Sequence, residues 1–119
     1  MTMIEELQSL GVDVQEGIER VMGDESLYGM MIDMFVDAVR DNPVDINGFS
    51  ADNLEALANQ IHMLKGITGN LSMTPLFDRY TRTLGLLRNN QGAEAQAEYL
   101  QLVPIQKAII DCIKRHKEG

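Results

Sequence analysis

Tryptophan is missing from this 119-residue chain, and Phe and Tyr number only three each. So thin an aromatic supply, beside eight methionines, points away from sheets and towards helices. A single cysteine, Cys112, excludes an internal disulfide, and with two histidines it falls short of a structural zinc set. Basic residues are scarce: ten Lys and Arg stand against eighteen Asp and Glu, a net charge of -8. Such a surface releases no counterions to a phosphate backbone or an anionic headgroup, which argues against nucleic acid and membranes as partners. No apolar run approaches the roughly 18 residues of a membrane span. The opening MTMIEELQSL has two acids and no basic stretch, unlike a secretory signal. Repeats, low-complexity tracts and Gly/Ser linkers are also absent. What remains is 45% hydrophobic and 24% charged, enough for one core, so a single cytoplasmic domain over residues 1–119 is expected.

Five helical segments can be marked by their caps and breaks. The first opens at Asp13, with Glu16 three residues on in a capping-box arrangement, buries Val14, Ile18, Val21 and Met22, and stops at Gly23. The second is capped by Asp24 and carries Leu27, Met30, Met31, Met34, Phe35 and Ala38 at helical spacing. It ends before Asn42-Pro43, because the residue before a proline avoids the helical region. A loop follows from Asp41 to Phe49. Ser50 is expected to cap the third helix, with Phe49 and Leu54 as a hydrophobic staple. Leu54, Leu57, Ile61, Leu64, Thr68 and Leu71 then step 3-4-3-4-3, a core stripe. Pro75 suits the first turn of a fourth helix whose inward face is Leu76, Tyr80, Thr83, Leu84 and Leu87. The last runs from Ala93 towards Arg115, with Pro104 forcing a kink or a change of stripe and Ile105, Ile109, Cys112 and Ile113 inward. The expected fold is all-α: an antiparallel up-and-down four-helix bundle with an additional short N-terminal helix.

Chemistry concentrates at His62. At 100° per residue the core stripe of the third helix centres about 130° from it, so the imidazole should face solvent. Glu55, Ala58, Lys65, Gly66 and Gly69 share that face. Two helical glycines each cost about 1 kcal/mol relative to alanine, and what they provide is room for another molecule to approach. Lys65, one turn on, can swing an ammonium towards anything negative on the ring. A solvent-exposed imidazole with an ordinary pKa of about 6.5 is largely neutral at physiological pH and keeps a free nitrogen as nucleophile. No glycine-rich nucleotide loop or kinase motif accompanies it, so a phosphoryl donor must come from outside.

The run His62-Met63-Leu64-Lys65-Gly66-Ile67-Thr68-Gly69-Asn70-Leu71 resembles the signature of histidine-phosphotransfer (HPt) domains, H-x-[LM]-K-G with small residues following. The resemblance extends to Gly11–Gly17 and Gly23–Tyr28, similar to that family's first two segments, and through Leu76 and Leu84, about 75% of the chain judged by pattern. A chance His-x-x-Lys-Gly arises in about one chain in a hundred of this length. The resemblance implies His62 as phosphoacceptor, Lys65 as the residue that steadies the phosphate and Gly66 as space for the docking partner. It implies response-regulator receiver domains and a hybrid sensor histidine kinase as partners, and a monomer. It implies no cofactor on this chain, with Mg2+ held by the receiver. Two positions depart from the family pattern: Ser72 stands where glycine is frequent, and Gly85 follows Leu84 where glutamate is frequent. Neither is expected to touch His62.

Plainer readings stand beside these. Gly69 serves docking or simply lets the fourth helix pack closely. Arg79 and Arg82 read as solvated charges before phosphate ligands. The methionines of the second segment read as core filler rather than a groove. His116, among Lys114, Arg115 and Lys117, reads as compensation of a helix dipole. A phosphorelay intermediate that is no autonomous enzyme is expected; a non-phosphorylated helical adaptor is the alternative. No carboxylate pair, triad or metal set supports an enzyme.

Overall fold

A computed structural model describes residues 1–118. Among them the chain is all helical: α1 (Met3–Ser9), α2 (Val14–Arg20), α3 (Glu25–Asp41), a 3-10 turn at Ile46–Ser50, α4 (Glu55–Asn70), α5 (Thr74–Arg88) and α6 (Gly92–Glu118). Among the described residues no helix is long and apolar enough to cross a membrane. The principal contacts run from α4 to α5 and from α5 to α6, with α3 against α4 and the 3-10 turn and α1 against α6.

The stripes of α4 and α5 lie where their periodicity puts them. Leu54, Leu57, Ile61, Leu64, Thr68 and Leu71 are all buried, as are Leu76, Tyr80, Thr83, Leu84 and Leu87. The core continues through Ala95, Tyr99, Leu102, Ile109, Cys112 and Ile113 of α6, and Ile105 is half-buried. Pro104 does not divide α6, which runs on through it as one helix.

α3 differs from expectation. Tyr28, Ile32 and Phe35 are buried, whereas Leu27, Met30 and Met34 are exposed, and Met31 and Ala38 are half-buried. This helix carries two apolar stripes about one position apart, and periodicity alone cannot choose between them. Tyr28 decides the phase, because its hydroxyl donates to the buried Leu71 carbonyl at 2.8 Å. Most of the expected methionine core is therefore surface, and Met22, at 97% exposure, lies outside it too.

The entry to α4 also differs. Ser50 ends the 3-10 turn instead of capping a helix, and its hydroxyl donates back to the Asn47 carbonyl. The helix starts five residues later, where the Asn53 side chain accepts from the Glu55 amide. Phe49 explains the delay. Its ring packs on Tyr99 with centroids 5.5 Å apart, which ties the turn to α6. A Cβ on Gly92 would meet the Phe49 carbonyl oxygen at 2.1 Å, so α6 must begin on glycine. Gln60 and Gln96 donate to the carbonyls of Asn42, Pro43 and Ile46 and pin the loop from both sides.

α1 was not expected from periodicity. A capping box starts it: Thr2 Oγ1 accepts from the Glu5 amide, and Glu5 accepts from the Thr2 amide. Leu7 drives it into the core. At its far side Glu6 takes a two-pronged contact from Arg115, at 2.7 and 3.0 Å, and lies 3.0 Å from His116 Nε2. The basic C-terminus of α6 does more than compensate a dipole, since it fastens α1. Lys117 pairs with Asp33 of α3 in the same region.

Candidate functional site

His62 is exposed on α4, and no group among the described residues hydrogen-bonds its ring. Leu57, Ile61, Leu64 and Thr68 hold the opposite face of the helix in the core, so the backbone that carries the imidazole is fixed from behind. An open groove of about 490 Å³ runs beside it, walled by α4, by the start of α5 and by the end of α2. His62, Lys65, Gly66 and Gly69 all line it. The four residues expected at the site are brought together.

The two glycines behave differently. Among the described residues a Cβ on Gly66 would meet nothing within 4 Å, so the space over it is open. A Cβ on Gly69 would lie 3.0 Å from two ring atoms of Phe77. Gly69 therefore lets α5 approach α4, and packing accounts for that glycine. Lys65 is half-buried with its Nζ 5.9 Å from the Phe77 ring centroid, an attraction of cation for aromatic face. No carboxylate among the described residues pairs with it, so its charge remains available to a ligand.

Arg79 and Arg82 do not take part. Both pair with Glu98 of α6, at 3.0 and 3.3 Å, and Arg79 also donates to Gln101. The arginine that does line the groove is Arg20, at the end of α2. Its Nε donates to Ser72 Oγ at 3.1 Å and its Nη2 to Glu16 Oε1 at 3.2 Å, while Ser72 Oγ donates to the same Oε1 at 2.8 Å. The Ser72 hydroxyl, and after it Arg20, hold the Glu16 carboxyl below its ordinary value. Ser72, not expected to touch His62, is a wall of the same groove. Sequence reasoning missed Arg20 and Glu16, which sit some 50 residues away in the chain. The only signal was the unusual serine at position 72.

A second cluster lies elsewhere. Glu6, Cys112 and His116 bring donor atoms within 4.8 Å of one another. Arg115 and His116 already engage both oxygens of Glu6. Burial, above all, pushes the Cys112 thiol up, which keeps it protonated. This is a packing and ion-pair junction.

No family model, curated protein or solved structure matches this chain. Its functional reading rests on the groove.

Proposed function

We propose that this chain is a histidine-phosphotransfer domain, a phosphorelay intermediate that carries a phosphoryl group on His62. The observation that carries the reading is an exposed imidazole on a helix packed into the core from behind, with no partner among the described residues. It shares one groove with the open space over Gly66 and with Lys65, a cation likewise unpaired among them. In this reading α3 to α6 form the up-and-down bundle, α1 and α2 precede it, and the protein works in the cytoplasm as a monomer.

The chemistry asks little of this chain. A receiver domain of a response regulator, or of a hybrid sensor histidine kinase, presents an aspartyl phosphate. A neutral His62 nitrogen attacks the phosphorus, the N–P bond forms, and the P–O bond to the aspartate breaks. The aspartate leaves as carboxylate with the bonding pair, and the far ring nitrogen gives its proton to water. Transfer to a second receiver reverses these steps. Phosphoryl transfer is mostly positioning and charge stabilisation. Magnesium and the acid groups that hold it belong to the receiver, and this chain contributes a presented nucleophile and Lys65.

The test is incubation with phosphorylated receiver domains, with His62→Gln as control and ATP alone as a blank. Label should pass to the parent chain only from a receiver and should be lost in His62→Gln without loss of helix. Labelling by ATP alone, or labelling that persists in His62→Gln, contradicts the proposal. Receiver binding without transfer makes the chain an adaptor.

A further inference from the structure

Ser72 is buried, 3% exposed, in the left-handed region at φ 56°, a conformation that glycine adopts at least cost. A serine held there has work for its hydroxyl. That hydroxyl bonds Arg20 and Glu16 at once, and Arg20 closes a ring by bonding Glu16. The ring joins the end of α2 to the turn after α4, across more than 50 residues of chain. It occupies two of the five N–H donors of the guanidinium, Nε–H and one on Nη2. Among the described residues nothing else bonds the other three. Arg20 shares the groove with His62 and with Lys65.

We infer that Arg20, positioned by Ser72 and Glu16, is a second cation of the phosphoryl-binding groove at His62. The inference rests on the phosphorelay reading above. A phosphoryl group on a ring nitrogen presents three oxygens spread over a tetrahedral face. Lys65 offers a point charge, whereas a planar guanidinium can engage two oxygens in parallel. Two carboxylates, Glu16 and Asp78, line the same groove and match the two cations in formal charge, so what the groove offers a dianion is directed N–H donors rather than a net positive charge. Glu16 offsets part of the charge on Arg20, which makes its effect smaller than that of Lys65. Ser72 acts only through Arg20 and is a positioning residue.

Three variants test the inference. Arg20→Ala removes an exposed side chain, Arg20→Lys keeps charge without the fork, and Ser72→Gly removes the anchor while suiting the backbone. Single-turnover transfer from a phosphorylated receiver, phosphohistidine lifetime and thermal midpoint are read for each. Arg20→Ala should slow transfer or shorten the lifetime about three- to fivefold, the scale of an exposed charge contact. Arg20→Lys should recover part of that, and Ser72→Gly should follow Arg20→Ala with an unchanged or higher midpoint. Parent rates and lifetimes in both Arg20→Ala and Ser72→Gly, with Lys65→Ala still impaired, overturn the inference and leave the ring as a structural tie. If the parent accepts no phosphoryl group from any receiver, the phosphorelay reading fails instead. Titration with inorganic phosphate, followed through the Lys65 and Gly66 amide signals, then decides for Arg20. Saturable shifts weakened by Arg20→Ala keep the anion groove, and shifts equal in both proteins, or absent, overturn it.

Discussion

Gly66 and Gly69 look alike in the sequence, and the structure separates them. A Cβ on Gly66 would crowd no side chain or neighbouring element within 4 Å among the described residues, so Gly66→Ala should gain helix propensity, up to about 1 kcal/mol, and raise the thermal midpoint. The same change at Gly69 pushes a methyl to 3.0 Å from Phe77, and the gain should be cancelled or reversed. A larger residue, Gly69→Phe, should clearly lower the midpoint. A Gly69→Phe protein as stable as the parent contradicts this packing role. Lys65 is the residue for a kinetic test. Its ammonium has no carboxylate partner among the described residues, so Lys65→Ala costs no ion pair. It should lower transfer rate or phosphohistidine lifetime about tenfold, the scale of 1.4 kcal/mol. Unchanged kinetics take Lys65 out of the mechanism. At this scale His62, Lys65 and Gly66 were legible because one helix face displays them together. Arg20 and Glu16 were not, because a hydrogen-bonded ring between distant segments leaves no local pattern, and Ser72 stood out only as a departure from the resembled motif.

Helices whose phase is set by a strong single stripe could be read from sequence, and α4 and α5 are of this kind. α3 could not, since Tyr28-Ile32-Phe35 competes with Leu27-Met31-Met34 and a hydroxyl contact to Leu71 chooses between them. α1 escaped notice because its seven residues bury only Leu7 fully, and what holds it is the distant end of α6. That attachment is open to a pH test. Arg115 first, then His116, hold the Glu6 carboxyl down to about 2, from an ordinary 4.5. The depressed value means that the attachment stabilises the fold fully above about pH 4.5 and is lost progressively as pH falls towards 2. Hydrogen exchange at the α1 amides should therefore speed up below pH 4 relative to the α4 core. Glu6→Gln should show that faster relative exchange already at pH 6, with little further change on acidification. A parent chain whose α1 protection relative to α4 stays flat from pH 6 to pH 2.5 contradicts the attachment.

For the molecule as a whole, the architecture is compatible with the proposed carrier role. Two long stripes and α6 make one core behind His62, and the groove beside it carries two cations, Lys65 and Arg20, with two carboxylates, Glu16 and Asp78. Fold class was legible from composition and periodicity. The proposed function draws on the resemblance around His62 together with the groove, because a helical core by itself carries no chemistry. One measurement tests the central claim most directly: locating the phosphoryl group after a receiver has transferred it. Phosphorus NMR and fragment mass analysis of the product should place it on a ring nitrogen of His62, acid-labile and base-stable as a phosphoramidate is. A phosphoryl group found on His116, on a hydroxyl or on a carboxylate, with His62 unmodified, would contradict the account.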